Sequence, residues 1–349
     1  MTAVPAPTNA SEPLVQARGL TCHFAPTGLF LRGRPIKAVT EVDIALSRGE
    51  AVGLVGESGS GKSTVGRLLL ALLKPTAGKV YFEGDDLATL DKAAQRRLRR
   101  RMQLVFQDPY SSLDPRRRVG AQIADGLDIH DVVPAAERPK RVTALLEQVG
   151  LPASHAERFP HEFSGGQRQR IGIARALATQ PDFLVADEPV SALDVSIQAQ
   201  VLALLADLRT RLGLAMLFIS HDLPAVRHLC DRVVVMYLGR VMEEGPTAAV
   251  FAAPRHPYTA ALLSAAPSLD PARRRKRILL RGEPPSPVDP PSGCVFRTRC
   301  PYALPACADS VPALRPFGMP GQFKACIRDD IAIDGSVSAA PEAIKKGSD

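Results

Sequence analysis

The sequence predicts an α/β protein with a parallel sheet, because short apolar segments alternate with helical patterns from about residue 14 to 250. Four of the apolar segments lack polar alternation, as strands buried on both faces do: 51–55, 182–187, 214–220 and 232–237. Helical patterns such as 63–73 and 196–213 lie between them. A glycine-rich sequence follows the first of these strands directly, as in many nucleotide-binding α/β domains.

Segments of different composition interrupt and bound this alternation. A more helical stretch covers about 110–175, and the segment 281–293 contains five prolines, as stiff linkers do. The first residues are rich in Pro, Ala, Ser and Thr, which is typical of disorder. We therefore divide the chain into a disordered N-terminus (1–13), a main domain (14–265), a basic and Pro-rich linker (266–293), a Cys-rich C-terminal extension (294–330) and a disordered tail (331–349).

The composition fits a water-soluble protein with a full hydrophobic core. The 349 residues are 45% hydrophobic and 23% charged, and the net charge of +8 suits phosphate-rich ligands, nucleic acid or an anionic membrane surface. No apolar run approaches the length of about 18 residues that a membrane span needs, and the N-terminus does not resemble a signal peptide. We therefore expect a cytoplasmic protein, in which clustered cysteines are more often metal ligands than disulfides.

The glycine-rich sequence is GLVGESGSGKST (53–64), which fits the pattern G-x-x-x-x-G-K-[ST]. Its glycines allow successive backbone N–H groups to point at phosphate oxygens, and the following helix N-terminus adds partial positive charge. Lys62 is predicted to reach the β- and γ-phosphates of ATP, and Ser63 to ligate Mg²⁺. The predicted ATP-binding residues of this loop are Gly56, Glu57, Ser58, Gly59, Ser60, Gly61, Lys62, Ser63 and Thr64.

Two acidic residues end another buried strand, in the sequence FLVADE (183–188). Asp187 is predicted to hold Mg²⁺ through water, and Glu188 to take a proton from an attacking water. Two acids after a strand often only cap a helix, but here they accompany an intact phosphate-binding loop. Together the two motifs predict ATP hydrolysis.

The sequence FSGGQRQR (163–170) resembles the signature of the ATP-binding-cassette (ABC) ATPases, with Phe163 where Leu is commoner. The resemblance implies a P-loop NTPase cassette, in which a RecA-like core carries an antiparallel β subdomain and a helical subdomain. It also implies that four residues face the γ-phosphate of a nucleotide bound by a partner subunit: Ser164, Gly165, Gly166 and Gln167. ATP would then join two cassettes, and its hydrolysis would let them separate.

Four further residues take roles that the same resemblance implies. Gln107, in VFQDP, is assigned to Mg²⁺ and to sensing the membrane partner, and Asp194, in SALD, to the loop that crosses the dimer seam. His221, in FISHDL, is expected to act with Glu188 by contacting the γ-phosphate. Phe24, in LTCHF, is the candidate for the aromatic residue that stacks on adenine.

The resemblance narrows to the ATP-binding subunits of dipeptide and oligopeptide importers in three segments: 107–120, 235–245 and 256–267. It implies a peripheral subunit at the cytoplasmic face of the membrane. Its expected partners are a second, homologous but non-identical ATPase, which makes a heterodimer, two membrane permeases and an extracytoplasmic solute-binding protein. Close relatives import nickel, glutathione or other solutes, and a nucleic-acid-linked ATPase is the alternative of another class. The single cassette without a long coiled coil favours the transporter, so no nucleic acid partner is expected.

Four of the six cysteines gather near the C-terminus: Cys294, Cys300, Cys307 and Cys326. Five, six and eighteen residues separate them, unlike the paired C-x2-C of common zinc sites. The segment resembles the C-terminal extension of peptide-importer ATPases, some of which hold a four-iron four-sulfur cluster on these thiolates. Four cysteines without an interspersed histidine suit such a cluster, with tetrahedral zinc or no metal as the alternatives.

Overall fold

The computed structural model describes residues 12–25, 33–108, 110, 112–265, 278–280 and 282–331. The two predicted disordered ends and the basic half of the predicted linker fall almost entirely outside these residues. The strands are β1 (Val15–Phe24), β2 (Ile36–Leu46), β3 (Ala51–Val55), β4 (Ala77–Phe82), β5 (Asp85–Asp86), β6 (Met102–Val105), β7 (Phe183–Asp187), β8 (Ala215–Ile219), β9 (Arg232–Tyr237), β10 (Arg240–Pro246), β11 (Arg315–Pro316) and β12 (Phe323–Lys324). The helices are α1 (Lys62–Leu69), α2 (Lys92–Arg101), α3 (Val119–Ile129), α4 (Arg138–Gln148), α5 (Gly165–Leu177), α6 (Val195–Leu212), α7 (Leu223–Leu229), α8 (Thr247–Ala252) and α9 (Pro257–Ala265).

The larger sheet has the strand order β11-β12-β10-β9-β3-β8-β7-β6. Strands β6, β7, β8, β3 and β9 pair in parallel, and β10 and β12 extend the sheet in antiparallel pairs. Every residue of β3, β7 and β8 is buried, which explains why their sequences are apolar without alternation. The four strands predicted from apolar segments are therefore confirmed as β3, β7, β8 and β9.

One edge of this sheet collects the ends of the strands that carry the sequence motifs. Strand β3 leads into the glycine-rich loop and α1, β7 ends at Asp187, and β8 ends just before Ser220 and His221. In open parallel sheets, ligands bind at the carboxyl ends of the strands. The fold therefore places the motifs of three separate segments beside one another.

The smaller sheet is antiparallel, in the order β2-β1-β4-β5, and covers α1 on one side. Its apolar side chains Leu20, Val42 and Phe82 share a buried cluster with Leu68 of α1. The beginning of β2 also comes against the glycine-rich loop. A Cβ atom on Gly61, whose φ is 98°, would lie 2.2 Å from the carbonyl oxygen of Ala38, so only glycine fits at this crossing.

Helices α3, α4 and α5 form a separate helical part of the molecule, in the region where the sequence predicts more helix. Their buried faces meet through side chains such as Ile123, Leu145 and Ile171, each with no exposed surface. Helix α5 begins immediately after Ser164. The helical part thus carries the signature sequence at its junction with the sheet.

The C-terminal segment packs onto this domain. Strand β12 pairs with β10 in the register Glu243↔Lys324, and the Phe296 side chain is fully buried against two tyrosines of the main domain, Tyr237 and Tyr258. A separate Cys-rich extension is therefore not confirmed. Instead, residues from both sides of the predicted linker share one sheet and one core.

Candidate functional site

A cavity of about 610 Å³ opens at the carboxyl edge of the larger sheet, a volume typical of small-molecule sites. It is lined by Ile36, Ala38, Ser58, Gly59, Gly61, Lys62, Ser63, Thr64, Gln107, Glu188, His221 and Pro287. Most of these residues were singled out from four sequence motifs that are far apart in the chain. The fold brings them to one place.

Lys62 begins helix α1, and its side chain, which points back into the glycine-rich loop, is only 5% exposed. Its Nζ donates to the carbonyl oxygens of Gly56 (2.9 Å) and Glu57 (2.8 Å), and lies 3.4 Å from Oγ of Ser60. Burial lowers the pKa of Lys62, while the nearby carboxylates of Glu188 and Asp187 act in the opposite direction. The loop therefore curves around the Lys62 ammonium group, and the neighbouring carboxylates stabilise its charged form.

Ser63 and Asp187 come together from the two phosphate-site motifs. Ser63 Oγ donates to Oδ1 of Asp187 at 2.9 Å, and Asp187 is 6% exposed. Burial raises the pKa of Asp187, and the hydrogen bond from Ser63 opposes that shift. With Gln107 on the same cavity wall, the site offers hydroxyl, carboxylate and amide oxygens, which are the donors that Mg²⁺ prefers. These residues fit the predicted magnesium site.

Glu188 has a left-handed backbone, with φ at 46°, directly after strand β7. Its N–H donates to the Ile219 carbonyl of β8 at 2.9 Å, which fixes this strained turn. The Glu188 carboxylate accepts a hydrogen bond from Gln107 Nε2 at 3.0 Å and lies 3.6 Å from Nδ1 of His221. A carboxylate held in this way can act as a proton acceptor for a water in the cavity.

The signature residues lie outside the cavity of their own chain. Ser164 is exposed and begins helix α5 with a reciprocal cap: Gln167 N–H donates to Ser164 Oγ (3.4 Å), and Ser164 N–H donates to Gln167 Oε1 (3.0 Å). Gly166 packs against Ile197, where a Cβ would come within 2.3 Å of the Ile197 side chain. The exposed Ser164 and the half-buried Gly165 thus present a helix N-terminus next to solvent.

Phe24 and Asp194 also fall outside the cavity lining. Phe24 ends β1 and is 39% exposed, and its strand partner Ile36 does line the cavity. Asp194 is exposed at the beginning of α6, beside Val195, which is 81% exposed. Their predicted roles toward adenine and the dimer seam remain predictions.

The cavity includes residues that the sequence did not reveal. Pro287, in the predicted linker, lines it, and its carbonyl accepts a hydrogen bond from Lys37 N–H at 3.0 Å. Arg34 pairs with Asp289 at 2.8 Å and holds the same segment to the beginning of β2. No local pattern signals such a contact, because it joins residues about 250 positions apart.

The four C-terminal cysteines are free thiols in the structure. Backbone N–H groups of Leu304 and Arg328 lie 3.4 Å from the sulfurs of Cys307 and Cys326. Burial raises the pKa of the Cys300 thiol to about 12, and the other three cysteines add to this effect. However, within the described ranges no group of three or more His, Cys, Asp or Glu side chains is placed to hold a metal ion. The predicted iron–sulfur cluster and its zinc alternative are not supported by this arrangement.

Comparison with known proteins decides the family. A putative peptide import ATP-binding protein of Brucella ovis is 58% identical over 319 residues, which cover 91% of this chain and 99% of that protein. The dipeptide transport ATP-binding protein DppF of Escherichia coli is 49% identical over 320 residues, 91% of this chain and 95% of DppF. The chain belongs to this family of ABC transporter ATP-binding proteins. The resemblance inferred from the motifs is confirmed.

Family profiles and a solved structure agree with this membership. Residues 39–191 of this ABC ATPase match the ABC transporter profile, and 242–307 match the oligopeptide/dipeptide transporter C-terminal region. A dimeric structure of the ATP-binding cassette MJ0796 bound to ADP and Pi is 30% identical, with a TM-score of 0.60, over 67% of this chain and 98% of that chain. None of the described helices of this ABC ATPase is long and apolar enough to cross a bilayer.

Proposed function

We propose that this protein is the ATP-hydrolysing subunit of an ABC importer of peptides. The observation that supports ATP hydrolysis is the cavity lined by Lys62, Ser63 and Glu188, with Asp187 hydrogen-bonded to Ser63. The peptide solute is supported by the relatives, which are named for peptide import and dipeptide transport, and by the match of 242–307 to the C-terminal region of such transporters.

Different residues at the cavity have different roles in the proposed hydrolysis. The loop N–H groups and the Lys62 cation bind the phosphates of ATP. Ser63, Asp187 and Gln107 would hold Mg²⁺, which would supply neutralisation of phosphate charge when bound. Glu188 accepts a proton from the attacking water, and its contacts with Gln107 and His221 keep the carboxylate oriented.

A second, homologous cassette completes the site in this proposal. Ser164 is exposed and lies outside the cavity lining, so it is free to face the phosphates of a nucleotide held by another chain. The solved cassette with a similar fold is a dimer. We place this pair of cassettes at the cytoplasmic face of the membrane, peripherally, beneath two permeases that receive peptide from a solute-binding protein. The second cassette in this proposal is similar to this chain but not identical to it.

Deleting the gene in a strain without other peptide importers is expected to abolish uptake of labelled di- and oligopeptides. The permeases lose their source of ATP-driven motion, so accumulation against a gradient stops. Uptake is measured with radiolabelled peptides, and wild-type protein supplied from a plasmid should restore it. If peptide uptake is unchanged while nickel or glutathione accumulation is lost, the assignment of the solute is wrong.

We propose a metal site at the four C-terminal cysteines as a part of the proposal that is separate from ATP hydrolysis. Its basis is the donor set alone, four cysteines without an interspersed histidine, because the described residues as placed bring no three such ligands together around a metal ion. Anaerobically purified protein is expected to contain iron and to absorb visible light, and the variant Cys300→Ser is expected to lose both. A colourless, iron-free and zinc-free protein with four titratable C-terminal thiols contradicts a metal site.

A further inference from the structure

The C-terminal segment contacts the phosphate-binding loop through an ion pair. Nη1 of Arg299 donates to Oε2 of Glu57 at 2.7 Å and lies 3.4 Å from Oη of Tyr237. The Arg299 side chain is only 8% exposed and that of Glu57 is 26% exposed. This is therefore a largely desolvated, charge-assisted hydrogen bond rather than a surface pair.

A second contact holds the same loop residue by its backbone. Glu57 N–H lies 2.8 Å from the hydroxyl oxygen of Tyr258, which accepts its hydrogen bond. Tyr258 has no exposed surface and packs against Phe296 and Tyr237, with ring centroids 5.2 and 4.7 Å away. Side chain and backbone of Glu57 are thus both fixed by the part of the molecule that contains α9 and the segment before Cys300.

Glu57 lies in the turn of the loop that is proposed to bind phosphate. Its carbonyl oxygen accepts from Lys62 Nζ at 2.8 Å and from Ser60 N–H at 3.2 Å. A loop already fixed in shape loses less conformational entropy when it binds a ligand. The Glu57 carboxylate is also a negative charge in a loop that receives a polyanion, and without a partner it would repel the phosphates. Arg299 cancels that charge.

We propose that Arg299 is a positioning residue for ATP binding. Arg299 neutralises the charge of Glu57 and fixes the conformation of the phosphate-binding loop. Through this contact the C-terminal segment raises the affinity of the loop for nucleotide. This inference rests on the proposed ATP-binding function and adds to it a residue far outside the nucleotide motifs. It also gives the segment between Gly293 and Cys300 a role at the ATP site that needs no metal.

The test is equilibrium binding of the fluorescent nucleotide mant-ATP, with Mg²⁺, to the purified full-length chain. Arg299→Gln is expected to weaken binding about tenfold, because it leaves the Glu57 carboxylate unpaired. The double variant Glu57→Gln with Arg299→Gln should recover most of that loss, since no carboxylate remains to repel phosphate. Arg297→Gln is the matched control: its guanidinium bonds to Ser292 at 2.9 Å, and wild-type affinity is expected.

The inference is overturned if Arg299→Gln binds mant-ATP as tightly as wild type. It is also overturned if the double variant binds no better than Arg299→Gln, because a merely structural arginine gives no such rescue. Melting temperatures establish that each variant folds. If Arg299→Gln does not fold, Arg299→Lys decides: retained affinity supports charge neutralisation, and a loss of about tenfold refutes it. A folded wild-type chain that binds no nucleotide overturns the proposed ATPase function instead.

Discussion

Glu188→Gln is expected to lower the rate of ATP hydrolysis about 10²- to 10⁴-fold, the range lost when a positioned general base is removed. Glutamine keeps the size and an acceptor oxygen of the side chain, so the contact with Gln107 Nε2 (3.0 Å in the wild type) can persist. It cannot take a proton from water at neutral pH. ATP binding should therefore survive, and the variant should accumulate as an ATP-bound cassette pair.

Release of phosphate measures the first effect, and size-exclusion chromatography with and without ATP measures the second. Glu41→Gln is a matched control, because Glu41 also has a left-handed backbone (φ 53°) but its side chain is 71% exposed and pairs with Arg240. It should hydrolyse ATP at the wild-type rate. If Glu188→Gln does the same, another group is the base.

Lys62→Ala is expected to weaken ATP binding by at least about thirtyfold, since truncating one partner of a desolvated charge pair costs about 2 to 5 kcal/mol. The variant loses the ammonium group that binds the phosphates. It also loses the hydrogen bonds from Nζ to Gly56 and Glu57, which hold the curve of the loop. Both effects act on the same step, so hydrolysis should fall with binding.

Titration with mant-ATP measures this loss. Lys79→Ala removes the same charge from an exposed side chain that pairs with Asp86 at 2.8 Å, and it should leave the affinity unchanged. Equal losses in the two variants would mean that net charge, rather than the position of Lys62, governs binding. If Lys62→Ala binds mant-ATP as tightly as wild type, Lys62 does not contribute to ATP binding.

Several residues of the cavity proposed to bind ATP could be located from the sequence because local rules govern where they occur. A phosphate-binding loop needs glycines at particular positions, and Gly61 shows why: its φ of 98° and the carbonyl of Ala38 leave no room for a side chain. Likewise, Asp187 had to end a buried strand, and β7 ends there. The order of strands in the sheet then brings Asp187 within 2.9 Å of Ser63.

Cavity-lining residues that belong to distant segments of the chain could not be predicted in the same way. Pro287 was interpreted as part of a stiff linker from composition, yet it lines the cavity because Lys37 N–H bonds to its carbonyl. The cysteine pattern raised a metal-site hypothesis that the described arrangement does not support. Spacing along the chain does not give the distances between four sulfurs, which depend on how the surrounding turns pack.

The sequence by itself determined the parallel sheet, the phosphate-binding loop, the acid pair and the membership of the ABC family, because each depends on residue types at short spacing. Only the tertiary structure decided that β12 joins the main sheet and that Arg299 meets Glu57 across 242 positions. The physical reason is that burial and pairing of a side chain depend on which distant surfaces the core brings together, and no local pattern records that choice.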